Sequence, residues 1–309
     1  MNDAFDPASP NFNPMGFWLD SVWNPLPAPS SVNGMALYEN VNYSITPGFR
    51  PVQLDIYKTP STTNQPCVIW IHGGGYEVLD KKFVPPLFDR LETFGKIVAA
   101  GFTLVSIDYR MTGEVLWPAP LHDVWDAIAW VQNRSGDLGV DPTQVNLWGE
   151  SAGAHLAMHG GLRFNPETYP KRANLKNLNH VNAIVEWYGP VDFTQMDDFD
   201  GVQAVQVANS AESPMGRLLG GAPRELPAAA NDVNVTRFVS ANSPALQVRH
   251  GVVDALVSIK QARLLKATID ECDTVLDYRE IAGADHGFIG MDNPETLVDE
   301  GIAFLQANT

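Results

Sequence analysis

Five consecutive residues, Gly149-Glu150-Ser151-Ala152-Gly153, hold a serine between two glycines. An apolar run precedes them and an Ala-rich stretch follows, so the segment reads as strand, sharp turn, helix. A serine on such a turn has its hydroxyl exposed above a sheet, and a side chain at either glycine would meet a neighbouring element. The first amides of the helix point to where negative charge would develop. This arrangement suits nucleophilic attack. A serine hydroxyl is a weak nucleophile at neutral pH and needs a base, a group that orients the base, and donors for an oxyanion.

Among seven histidines, His286 is the candidate base. It sits in the glycine-flanked loop Gly283-Ala284-Asp285-His286-Gly287-Phe288, just beyond a strand. Functional groups of open α/β sheets gather at that end of the strands. Asp254, in the loop after the 245–250 strand, is the orienting acid, which gives the chain order Ser, Asp, His. Asp192 follows another strand at similar height and is the competitor. For the oxyanion, His72-Gly73-Gly74-Gly75 follows an apolar strand, and the amides of Gly73, Gly74 and Ala152 are the expected donors. His155 and His159 have the i, i+4 spacing of a metal pair but lack the H-E-x-x-H glutamate, so they read as packing or surface residues. His250, His122 and His180 read as structural. Tyr76, Trp117, Trp187 and Tyr188 fall at strand ends or in loops and are candidates to line an apolar pocket, with core packing as the alternative. Glu150, beside the serine, reads as local structure.

The elements that must position these residues alternate. Strands are expected at 36–45 and 52–57 as an edge hairpin, then at 67–71, 102–107, 145–148, 181–188, 245–250 and 275–281. Helices are expected over 84–100, 122–133, from Ser151 onward, 257–271 and 294–307. That order predicts an α/β fold, a mostly parallel twisted sheet with helices on both faces. Residues 194–243 break the rhythm and read as a small cap over the sheet. Residues 1–36 carry Phe17, Trp18 and Trp23 and read as an arm packed on the domain. The whole chain, 1–309, is read as one domain.

Together these segments resemble the hormone-sensitive-lipase-like carboxylesterases of the α/β-hydrolase superfamily. The resemblance rests on His72-Gly73-Gly74-Gly75 and Gly149-Glu150-Ser151-Ala152-Gly153, with Asp108-Tyr109-Arg110, His250-Gly251-Val252-Val253-Asp254 and Asp285-His286-Gly287-Phe288 in support. Leu54-Asp55-Ile56-Tyr57 is especially similar to the branch containing bacterial feruloyl and acetylxylan esterases and kynurenine formamidase. It covers roughly residues 37–190 and 243–307. Tyr76 stands where relatives often carry Trp or Phe, and the arm and the insertion match nothing in the family pattern.

Composition narrows the partners. The net charge of −16 argues against nucleic acid and anionic membrane as partners. Hydrophobic residues make up 45 %, enough for a core without disulfides, so Cys67 and Cys272 read as free thiols. No secretory signal is visible at the N-terminus and no run reaches the ~18 apolar residues of a membrane span, which predicts a cytoplasmic protein. The expected function is a serine carboxylic-ester hydrolase that acts on small or aromatic acyl esters through an acyl-enzyme, with no cofactor or metal. An arylformamidase using the same residues is the alternative, and a non-catalytic ligand-binding protein of the same fold the more distant one. The partner is a small-molecule ester; a homodimer is compatible with the sequence.

Overall fold

The computed structural model describes residues 25–167 and 178–309. Residues 1–24, and with them most of the expected arm, lie outside the described residues. Nine strands form one sheet: β1 (Ser30–Val32), β2 (Met35–Ser44), β3 (Val52–Lys58), β4 (Gln65–Ile71), β5 (Thr103–Ile107), β6 (Val140–Glu150), β7 (Ala183–Trp187), β8 (Ala245–Gly251) and β9 (Leu276–Ile281). Their order across the sheet is β1-β2-β3-β5-β4-β6-β7-β8-β9. The first three strands meet their neighbours antiparallel, and from β5 onward every pairing is parallel. The short edge strand β1 was not expected from the sequence.

The eight α-helices among the described residues are α1 (Arg90–Ala99), α2 (Ala119–Asn133), α3 (Ser135–Leu138), α4 (Ala152–Arg163), α5 (Pro214–Leu219), α6 (Pro227–Asp232), α7 (Ile259–Asp270) and α8 (Thr296–Ala307). Alternation along the strands sorts the core into two layers. Cys67, Ile69 and Ile71 of β4 join Val145 and Leu147 of β6 in the layer covered by α2, α4 and α7. Val68, Trp70 and Trp148 point the other way, into the layer under α1 and α8. Burial on both faces explains why these strands are continuously apolar.

The helix expected over 84–100 begins only at Arg90. Pro85 and Pro86 cannot donate into a helix, and the Asp89 side chain caps the new start by accepting from the Glu92 amide. Residues 84–89 are therefore free to reach the sheet's upper rim. Segment 194–243 contains only short helices and turns. It packs across the carboxyl ends of the strands, tied down by Val235 N–H to the Val191 carbonyl and Val205 N–H to the Ala255 carbonyl. No helix among the described residues is long and apolar enough to cross a membrane.

Candidate active site

Strand β6 ends at Glu150 and α4 starts at Ala152, which leaves Ser151 alone to turn the chain. Its φ of 52° and ψ of −123° are strained for a residue with a Cβ. The turn is held by the Ser151 amide donating to the Trp187 carbonyl at 2.9 Å. A Cβ on Gly149 would strike the Gly153 carbonyl, and one on Gly153 would strike the carbonyls of Ile71 and His72. Both glycines are thus imposed by the close approach of helix to sheet.

Three strand-end loops bring Ser151, His286 and Asp254 together. His286 Nε2 is 3.0 Å from Ser151 Oγ, and His286 Nδ1 is 2.8 Å from Asp254 Oδ2. The other carboxylate oxygen, Asp254 Oδ1, accepts from the amides of Leu256 and Val257, both at 2.8 Å. Asp254 is 1 % exposed. Burial pushes its carboxyl up, but the hydrogen bond and charge of His286, together with His250 and the Val257 amide, outweigh that and hold it below the ordinary carboxylate value. Burial pushes the His286 ring down, but the bond to Asp254 and the charges of Asp254, Glu150 and Asp285 raise it above its ordinary value. An ionised Asp254 fixes the proton on Nδ1 and leaves the Nε2 lone pair facing Ser151. His250 braces the acid loop, its Nε2–H donating to the Val257 carbonyl at 2.8 Å. The competitor Asp192 does other work: it accepts from Thr194 and Gln195 and from Asn234.

The glycine loop needs a correction. The Gly73 amide donates to Glu150 Oε1, so it is engaged and does not face the cleft. Gly74, at φ 91°, and Gly75, at φ 61°, line the cleft beside Ser151 and Ala152. Of the expected set Gly73, Gly74 and Ala152, the last two therefore line the cleft and Gly73 does not. The Tyr109 hydroxyl steadies the loop from behind, between the carbonyls of His72 and Gly73 at 3.0 and 2.9 Å.

The cleft above Ser151 has a volume of about 450 Å³. Tyr76 and Tyr188 are among the residues that line it. Trp117 and Trp187 are not. Trp117 donates its indole N–H to Asp232 and packs against His155 and His159. Trp187 shares the phase of Ala183 and Val185, so it points into the opposite layer among Trp70 and Trp148. The walls come instead from residues that carry no motif. Met196 and Met215 of the 194–243 segment face Phe83, Pro85 and Pro86 of the loop before α1.

This arrangement can be compared with known proteins. Residues 54–269, more than half of the chain, match the BD-FAE family. The chain belongs to the BD-FAE family. Curated relatives of this BD-FAE chain include Esterase LipQ of Mycobacterium tuberculosis, 29 % identical over 78 % of this chain and 55 % of the relative. Esterase LipC of the same organism is 27 % identical over 81 % of this chain and 60 % of the relative. The chain thus spans little more than half the length of these relatives. Among solved structures, a truncated carbohydrate esterase from gut microbiota superposes with a TM-score of 0.74 at 25 % identity, covering 91 % of this chain and 99 % of that one. An acetyl ester-xyloside bifunctional hydrolase from Caldicellulosiruptor lactoaceticus shares the α/β-hydrolase fold, with a TM-score of 0.72 at 20 % identity over 91 % of this chain and 97 % of that one.

Two further features of this BD-FAE chain had no clear motif. His155 and His159 both point their Nε2–H at one acceptor, the Val233 carbonyl, at 2.9 and 3.0 Å. Burial pushes His155 down to about 4 and His159 well below its ordinary value, so both are neutral and serve as clamps on the 194–243 segment. Glu150 is buried at the cleft wall, and burial pushes its carboxyl up to about 7 against the opposing pull of His286, the Gly73 amide and Tyr188.

Proposed function

We propose that this chain is a carboxylesterase that works through an acyl-enzyme on Ser151. The observation that carries the reading is the unbroken line from Asp254 Oδ2 to His286 Nδ1 and from His286 Nε2 to Ser151 Oγ, at 2.8 and 3.0 Å. Ser151 Oγ forms a bond to the ester carbonyl carbon while its proton passes to His286 Nε2. The carbonyl π pair moves onto oxygen, and the amides of Gly74, Gly75 and Ala152 receive that oxyanion. Each such donor is worth on the order of 10²–10³ in rate. The tetrahedral carbon then expels the alcohol, which takes the proton from His286. Water, deprotonated by His286, attacks the acyl-enzyme; the acid leaves and Ser151 Oγ recovers its proton. Asp254 keeps the ring in the working tautomer throughout.

A cleft of about 450 Å³ lies within the range that holds small molecules. Tyr76, Phe83, Met196 and Met215 make its walls apolar, which supports small or aromatic acyl esters as substrates. The esterase names of the curated relatives, and the acetyl-ester and carbohydrate-esterase titles of the structural neighbours, support ester rather than amide bonds. We take the chain as one catalytic unit, with the 194–243 segment as its cap. Ser151→Ala is expected to abolish hydrolysis of a short p-nitrophenyl ester and labelling by a fluorophosphonate, with an unchanged circular dichroism spectrum. Retained turnover would overturn the assignment.

A further inference from the structure

Glu150 occupies the position before the nucleophile, yet the acyl-transfer steps above give it no part. It is 3 % exposed. Four groups face its carboxyl: the Gly73 amide from the loop after β4, the Tyr188 hydroxyl from the loop after β7, the His286 ring from the loop after β9, and Tyr109 from the loop after β5. None of these is a permanent cation. A buried carboxylate without one carries a free-energy cost that an apolar side chain would avoid.

The geometry gives the carboxylate two tasks. Its Oε1 accepts from Gly73 N–H, and the packing is so close that a Cβ on Gly73 would overlap the carboxyl group. The peptide group that follows Gly73 has its carbonyl held by Tyr109 Oη. The residue just ahead of Gly74 and Gly75 is thus gripped at both its amide and its carbonyl. The same carboxylate lines the cleft together with His286 and Ser151, and so adds negative charge to the surroundings of that ring.

We propose that Glu150 is a positioning residue for acyl transfer, seating the oxyanion loop through Gly73 and adding a second negative charge, after Asp254, around His286. The inference rests on the triad reading given above. Seating acts on the step in which charge develops on the substrate oxygen, so its loss lowers kcat more than it raises KM. The charge, which develops as pH rises through about 7, acts on the proton affinity of His286 from there upward, so its loss moves the acid limb of the pH profile. A residue that merely fills space would do neither.

The test compares Glu150→Ala and Glu150→Gln with wild type and Ser151→Ala on p-nitrophenyl acetate across pH 5–9. For Glu150→Ala, kcat is expected to fall roughly 10–100-fold with KM within about threefold of wild type. Glu150→Gln keeps an oxygen for Gly73 and is expected to recover most of kcat, while its acid limb in kcat/KM moves to lower pH. A Glu150→Ala kcat within about twofold of wild type overturns the seating role, and an unmoved limb in Glu150→Gln overturns the charge role. Should Glu150→Ala fail to fold, Glu150→Leu, which fills the space but cannot accept from the Gly73 amide, takes its place, and a kcat within about twofold of wild type overturns the seating role. Activity that survives in Ser151→Ala fells the triad reading and this proposal together. Activity lost in Ser151→Ala but unaltered in both Glu150 variants fells only this one.

Discussion

Replacing Asp254 by asparagine exchanges one carboxylate oxygen for an NH₂ group, and the structure dictates which way the new amide faces. Asp254 Oδ1 accepts two backbone amides, from Leu256 and Val257, while Oδ2 accepts one bond, from His286. An asparagine that keeps its oxygen on the two amides presents its NH₂ to His286 Nδ1. That nitrogen must then be the acceptor, which puts the ring proton on Nε2, facing Ser151, where it cannot receive another. The opposite flip restores the working tautomer but points an NH₂ at two buried amides. Each unsatisfied donor costs about 1–3 kcal/mol, so the working flip is disfavoured by roughly 2–6 kcal/mol. At 1.36 kcal/mol per decade, this lowers kcat by roughly 30-fold to 10⁴-fold, and losing the charge that stabilises the imidazolium adds to it. The assay is steady-state hydrolysis of p-nitrophenyl acetate by Asp254→Asn, with the thermal midpoint measured in parallel. A fall of less than about tenfold in a folded variant would refute the argument, because it would mean that the Leu256 and Val257 amides do not set the orientation.

Other expectations follow from the same geometry. The base must be neutral to act, and the surroundings of His286 raise it above its ordinary value of 6.5. Activity should therefore be lost as pH falls, with the acid limb of kcat/KM above pH 6.5, and a limb well below that value contradicts the expected influence of Asp254 and Glu150. Gly153→Ala should destabilise by about 1–3 kcal/mol or more, since its Cβ meets backbone carbonyls of Ile71 and His72 that cannot swing aside; an unchanged urea midpoint would contradict the packing. Trp117→Phe should cost about 1 kcal/mol through the lost bond to Asp232 while leaving KM for small esters unaltered, and a raised KM would place Trp117 back in the pocket.

Much of this molecule can be read from its residues, for identifiable reasons. The alternating burial of Val68 and Trp70 against Cys67 and Ile69 is written into β4, because a strand covered on both faces has no polar side to confuse the pattern. Ser151, Asp254 and His286 are recoverable because each sits in a short loop just beyond a strand. The departures share a cause: they depend on which partner a group finds across the fold. Nothing local to His72-Gly73-Gly74-Gly75 says that the first glycine amide is already engaged by Glu150, 77 residues away. Trp187 sits at a strand end, yet its phase with Ala183 and Val185 assigns it to the opposite layer. Pro85 and Pro86 marked the true start of α1, yet the apolar period beyond Arg90 made the helix read longer than it is.

The bond from the two helix histidines to residue 233 has a consequence for how such a protein can change. His155 and His159 ride on the helix that follows the nucleophile, and the atom they hold is a main-chain oxygen. Every amino acid carries that oxygen. These two hydrogen bonds therefore place no demand on the side chain at position 233, and Met196, Gln206 and Met215, which line the cleft, can be exchanged without touching them. The side-chain half of each bond lies on α4, in two histidines that need only stay neutral. A chain fastened in this way can be altered in what its cleft admits while the groups around Ser151 are left in place.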